Sequence, residues 1–337
     1  MMAARGLMRG TILLVLALLA APAAAERPAA SDHTTPGGIA FRHVTLAEQP
    51  RHAIAFGWHD GFALARPGRE GVVLLGRRLL LEGTAELNRN AYSERLKDLG
   101  AATNLGGTIH TTQGLVTAAP DQLAAAVGLF AGVLANPAMA PDRLAFLQKT
   151  AAATARAGDE NAEQLARGMM HRLTLGAGPL LDAVTQPAAS FLAVTPDDVA
   201  AWRRTVLVRD RVLVASAGPM TPAAVAVEID RLFAGLPAYS SDAAPAPAPV
   251  MRANARLIVL ERAVAQTVVV AGGPSGWTTG PDQLRGAIAI QSLLGFEGRM
   301  FRALRERHGA TYGVQANLIT FHGEARAFSI LSAVDST

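Results

Sequence analysis

Between Gly298 and Tyr312 the chain reads Gly-Arg-Met-Phe-Arg-Ala-Leu-Arg-Glu-Arg-His-Gly-Ala-Thr-Tyr. Arg305 and Tyr312 stand on either side of Gly309, and glycine is the residue that most readily ends a helix in the left-handed conformation. Such an end lets the following strand fold back, so that Arg305 near the helix C-terminus can approach Tyr312 at the strand start. Guanidinium and phenol are both hydrogen-bond donors, and together they suit a peptide carbonyl or the oxyanion that develops from it. The same two residues also fit a plainer arrangement, a surface Arg305 paired to Glu306 or Glu297 and an aromatic strand residue packed in a core.

Other chemistries find little support. The eight histidines are His33, His43, His52, His59, His110, His171, His308 and His322. None pair at the i, i+3 or i, i+4 spacing that sets two imidazoles on one helical face, so they read as surface or hydrogen-bonded structural residues. There is no Cys, which excludes a disulfide framework and a lipoprotein anchor. No G-x-S-x-G, P-loop or strand–helix G-x-G-x-x-G occurs, so serine hydrolase, kinase and dinucleotide readings have no motif to stand on.

The elements that must position these residues fall into two series. Strands are predicted over Ala53 to Trp58 and Phe62 to Ala65, around the turn His59-Asp60-Gly61. Helices are predicted over 71–81 and over 88–99, the latter ended by Gly100. A hairpin over 102–118 follows. A helix over 121–135 places Leu123, Val127, Phe130 and Leu134 on one face. Further helices are expected over 141–156, 162–173, 197–204 and 222–233, with a strand over 212–216. Residues 240–250, with their Ala-Pro alternation, read as a stiff linker. After it come strands over 256–261 and 267–271, helices over 283–294 and 299–307, and strands over 311–319 and 327–331. Ser93-Glu-Arg-Leu-Lys-Asp-Leu-Gly-Ala101 before one strand corresponds to Arg302-Ala-Leu-Arg-Glu-Arg-His-Gly-Ala310 before another, which implies an internal repeat.

At the N-terminus, Arg5 and Arg9, the apolar run Thr11 to Leu19 and Ala23-Ala24-Ala25 read as a cleaved secretory signal over 1–25. The apolar run is shorter than the roughly 20 residues of a membrane span, so no stable span is expected after cleavage; an uncleaved anchor is the other reading. Removing Arg5 and Arg9 takes the formal charge from +4 to +2. No basic patch with interleaved aromatics occurs, which argues against nucleic-acid binding. Half the chain is apolar and 17% charged, enough for a large core. The expected organisation is a signal at 1–25, a loose lead-in at 26–37, a first domain at 38–238, a Pro/Ala linker at 239–252 and a second domain at 253–337. The second copy is much shorter than the first and is expected to be C-terminally truncated, leaving a sheet edge or an apolar face uncovered.

The ordered motifs resemble the insulinase/pitrilysin-type zinc peptidases. Gly83-Thr84, the helix end Leu99-Gly100-Ala101, Val194-Thr-Pro-Asp-Asp-Val-Ala-Ala-Trp202, Leu232-Phe-Ala-Gly-Leu-Pro237 and the 298–312 stretch carry the resemblance from about Gly37 to the C-terminus. It implies an α+β fold: two tandem mixed α/β domains, helices packed on an antiparallel-rich sheet, the second incomplete. In that family an H-x-x-E-H helix binds zinc. Counting back from Gly83-Thr84, its two histidines fall on Leu74 and Arg78 and its general base on Arg77. The segment expected to supply a further carboxylate, Thr150 to Arg156, has none. Zinc therefore lacks its ligands in this chain, and Arg77 and Arg78 add positive charge. The resemblance assigns Arg305 and Tyr312 to substrate binding near the scissile carbonyl. It implies a non-catalytic, substrate-binding subunit of a two-chain periplasmic zinc metallopeptidase, with zinc in a homologous partner and peptides as substrates. The alternative is a peptide-binding or assembly protein of the same fold without proteolytic role.

Overall fold

The computed structural model describes residues 29–335, apart from 61, 63–66, 109, 176, 240–255, 264, 276–280, 295–297 and 321–325. The signal at 1–25 and the Pro/Ala linker at 239–252, save for residue 239, therefore fall outside the described residues. No helix of the described residues is long and apolar enough to cross a membrane.

A six-stranded sheet is built from β1 (Ala30–Thr34), β2 (Ala40–Thr45), β3 (His52–His59), β4 (Ala102–Gly107), β5 (Thr111–Ala118) and β6 (Leu213–Gly218), in the order β1-β2-β6-β3-β5-β4. Only β2 and β6 pair in parallel. Strand β3 alternates strictly: His52, Ile54, Phe56 and Trp58 are buried while Ala55 and His59 are exposed. A period of two puts every second side chain on one face, and that face meets the helices. These are α1 (Val72–Leu80), α2 (Arg89–Asp98), α3 (Leu123–Ala135), α4 (Pro141–Glu160), α5 (Ala162–Leu175), α6 (Pro179–Thr185), α7 (Ala188–Leu192), α8 (Pro196–Val206) and α9 (Pro222–Phe233). The apolar stripe of α3 behaves as its spacing predicts, with Leu123, Val127, Phe130 and Leu134 all fully buried. Phe56 lies 5.8 Å from Phe130 of α3 and 5.2 Å from Phe233 of α9, ring centre to ring centre, so one aromatic side chain joins the sheet to both helices.

A second, three-stranded antiparallel sheet contains β7 (Gln266–Pro274), β8 (Thr311–Thr320) and β9 (Arg326–Asp335), ordered β7-β9-β8. Helix α10 (Pro281–Leu294), the turn α11 (Arg299–Phe301) and a π-helical turn over Arg302–Arg307 lead into β8. The two halves repeat at one junction in detail: Gly100 (φ 55°) ends α2 before β4, and Gly309 (φ 60°) ends the π turn before β8. At Gly100 the bonds Gly100 N–H to Lys97 O and Ala101 N–H to Leu96 O, both 2.9 Å, close the helix end.

Several expectations change. Ala30–Thr34, inside the stretch read as a loose lead-in, is a strand, and β2 was not predicted at all. Polar residues hid both: β1 is an exposed edge, and β2 alternates a buried Phe41 with a buried His43. Phe62 lies in a turn rather than a strand, and 63–65 are outside the described residues. Helices α6 and α7 were missed because under two turns show no period. Residues 256–261 form no strand. Their apolar run has no neighbouring ladder among the described residues, and an unpaired strand is not stable alone. Helix α5, which precedes the linker, packs against β7, while β7 and β8 form the edges of the three-stranded sheet. A Cβ at Gly272 would stand 2.8 Å from Met170 Sδ. Leu175, Leu181 and Ala327 form a small core there.

Three histidines line up across β1, β2 and β3. His33 meets His43 edge-on at 6.3 Å, and His43 stacks on His52 at 5.8 Å. His43 Nδ1 is 2.8 Å from Ser216 Oγ, whereas His52 Nε2 is buried without a partner in the described structure. Burial, reinforced by the neighbouring His43, pushes His52 down to about 4. The unfolded chain thus binds the proton first, so the stability held above pH 6.5 is lost as pH falls toward 4. A shift of this size corresponds to at most about 3 kcal/mol. Urea unfolding at pH 7 and pH 4.5 should show a smaller acid loss in His52→Asn than in the parent chain.

Candidate functional site

Helix α1 carries Leu74, Arg77 and Arg78, the positions the resemblance gives to metal ligands and general base. It is short and wedged in place by close approaches at two glycines. A Cβ at Gly71 would sit 2.5 Å from Phe191 of α7, and one at Gly76 would sit 2.5 Å from the Trp202 indole of α8. With those faces committed, Leu74 is half-buried, Arg78 is exposed, and Arg77 turns inward with only 6% of its surface exposed. Arg77 Nη1 donates to the carbonyls of Thr108 and Thr111, both at 2.8 Å, in the turn between β4 and β5.

Beside it is a buried carboxylate that the sequence reading treated only as a turn residue. Asp60 Oδ2 accepts from Trp202 Nε1 and from Thr112 Oγ1, each at 2.8 Å, and Oδ1 accepts from the Phe62 amide at 3.2 Å. Burial pushes its pKa up, while these donors and the positive Arg77 act against that. Burial pulls the Arg77 pKa down, and Asp60 opposes the shift. The turn signal His59-Asp60-Gly61 located the residue, but nothing local in the sequence discloses that Trp202, 142 positions away, reaches it.

Arg305 and Tyr312 were expected to approach one another. Arg305 sits in the π-helical turn, is exposed, and holds its guanidinium carbon 5.5 Å from the centre of the Phe301 ring. Position 312 lies within a register shift of the β8–β9 ladder between Thr311 and Val314. Thr311 anchors that irregularity: its Oγ1 donates to Gly313 O at 2.9 Å and Ser332 Oγ donates to it at 3.0 Å. A π-helical turn and a β-bulge are each over-represented at functional sites, where they re-aim side chains. The predicted pair thus occupies two consecutive backbone irregularities joined by the left-handed Gly309.

The face of the large sheet turned away from the helices is open. A groove of about 560 Å³ crosses it, lined by small and uncharged residues including Ala55, Gly57, Gln113, Leu115, Leu213 and Ala215. Gly106 and Gly107 also line it, and a Cβ on Gly107 would fall 2.8 Å from Arg77 Nη1. The groove therefore borders the segment that Arg77 holds. Among the described residues no group of three or more His, Asp or Glu is placed to hold a metal ion.

Antiparallel-rich sheets with helices packed against them define a mixed α/β fold in which α1 carries Leu74, a buried Arg77 and an exposed Arg78. Residues 193–337 match the family described as the peptidase M16 inactive domain. The fold is similar to the peptidase M16 inactive domain from Pseudomonas fluorescens, with TM-score 0.79, 22% identity, and coverage of 91% of this chain and 75% of that one. It is also similar to two longer chains. Pitrilysin gives TM-score 0.67 at 13% identity over 93% of this chain and 34% of its own. The periplasmic protease PqqL from Escherichia coli gives TM-score 0.67 at 12% identity over 92% and 36%. No curated protein matches the chain. The likeness to the inactive M16 domain is thus carried in sequence by residues 193–337, and the chain as a whole shares the fold of these structures.

The family implies zinc, and the residues on α1 do not fit it. A leucine and an exposed arginine offer no lone pair, and the guanidinium of Arg77 is already spent on two carbonyls. The purified chain, dialysed against chelator and reloaded with zinc chloride, should retain far less than one zinc per chain by elemental analysis and cleave no peptide alone. Stoichiometric zinc with chelator-sensitive cleavage would overturn this reading of α1.

Proposed function

We propose that this chain is the non-catalytic, substrate-binding subunit of a two-chain zinc metallopeptidase in the periplasm, acting in proteolysis with a zinc-bearing homologue. The observation that carries the reading is the contrast between the two halves of the chain. The α1 region carries Leu74 and Arg78 at the positions the resemblance gives to metal ligands, and a buried Arg77 at the one it gives to the general base. The 298–312 region keeps its family-like motif on a π turn and a bulge. In this role Arg305 and Tyr312 donate hydrogen bonds to a peptide carbonyl, and the groove on the open sheet face receives the chain of the substrate. The signal-like N-terminus and the likeness to a protease described as periplasmic support the location.

Tyr312→Phe removes one donor with little change of shape. In the reconstituted pair it should lower turnover by about 10²–10³, the usual effect of losing one transition-state donor. Arg305→Ala should act similarly, and the melting point of the chain alone should hardly move. Full activity in both variants would make the pair structural instead.

Partnership is tested separately. The chain should co-purify from periplasmic extract with a zinc-bearing homologue and elute with it in size-exclusion chromatography, across an interface of at least about 1,200 Å². A well-folded chain that stays monomeric and recruits no homologue would favour the peptide-binding or assembly reading.

A further inference from the structure

We propose that Arg77 is a positioning residue: its guanidinium ties α1 to the β4–β5 hairpin and balances the buried Asp60, so that it sets the shape of the groove edge. The proposal rests on the geometry around Arg77, and only its contrast with a metal site rests on the reading of α1 given above.

Three observations converge. First, one nitrogen of Arg77 donates to both Thr108 O and Thr111 O. Thr111 O also accepts the Thr108 amide at 3.0 Å, so the guanidinium joins a bond that already closes the hairpin. Second, the hairpin is shaped to admit it. Gly107 has φ 125°, and a Cβ there would meet both Thr111 O and Arg77 Nη1. Left-handed geometry and crowding thus both require glycine. Third, Asp60 is 1% exposed and draws its hydrogen-bond donors from α8, β5 and its own turn, while Arg77, which does not touch it, adds a smaller attraction through space. Removing the guanidinium leaves the hairpin carbonyls without their charged donor and takes that attraction from the buried carboxyl.

The contrast with the neighbouring Arg78 makes the role specific. Arg78 is exposed on the same helix, and changes at exposed positions away from special features are close to neutral. Glutamate at position 77 would place a second buried carboxylate near Asp60. The arginine is therefore needed by the fold itself, and because Gly106 and Gly107 line the groove, its loss should loosen that surface first.

The test uses the full chain with Arg77→Met, Asp60→Asn, the double variant, Arg77→Glu and Arg78→Met as control. Arg77→Met should lower the melting point by roughly 6 °C or more, and Arg77→Glu further, whereas Arg78→Met should stay within about 2 °C of the parent. The double variant should recover much of the loss of Arg77→Met, and this holds even if the single variant fails to fold. Hydrogen exchange should rise in residues 104–113 in Arg77→Met and not in Arg78→Met. Equal effects at positions 77 and 78, strictly additive losses, a double variant as damaged as the single, or unchanged exchange in the hairpin would each overturn the proposal.

Discussion

The buried Asp60 carboxylate, with the groups that face it, is the constraint on which the large domain depends. It stands just past the end of β3 and accepts hydrogen bonds from Trp202 on α8, Thr112 on β5 and the Phe62 amide. Arg77 on α1 adds a weaker attraction without touching it. Helix α8, strand β5 and the turn after β3 are thereby tied together by one side chain. Bare burial of a carboxylate is strongly unfavourable, and full pairing is what makes it tolerable. The same indole that donates to Asp60 rests against Gly76, so the polar tie and the apolar packing of α1 are set by one residue.

Helix α1 is held on one side by the close approach of Trp202 to Gly76 and on another by Arg77. The Arg77 side chain faces the hairpin, where two carbonyls accept its hydrogen bonds. An arginine suits this better than a lysine, because its planar fork offers several donors in fixed directions and keeps its charge when buried. The open face of the sheet remains lined by alanine, glycine and a few larger uncharged residues. Such a surface lets an extended backbone approach closely.

The second sheet shows how the halves of the chain depend on one another. Helix α5 comes before the linker but covers β7, with Met170 against Gly272. The boundaries drawn at 238 and 253 from the Pro/Ala run mark a change of composition, and packing crosses that line. Residues 256–260 join no sheet and are exposed, with Leu257 at 89%. Apolar character alone does not make a strand without a hydrogen-bonding neighbour.

Much of the architecture was legible in the residues. The α3 stripe, the hairpin over 102–118, the closing helix 222–233 and the glycine-ended turns at Gly100 and Gly309 follow from local periodicity and from the conformations open to glycine, which travel with the sequence. The absence of metal-ligand spacing among the histidines was equally local. The strands β1 and β2, the π turn at 302–307 and the buried state of Asp60, His43 and Arg77 were not legible. Each depends on partners tens to hundreds of residues away: Ser216 for His43, Trp202 for Asp60, the β4–β5 turn for Arg77. Sequence determined which residues could donate, accept or end a helix; tertiary structure alone decided which of them lost water and met a partner, because burial is a property of the whole packed chain.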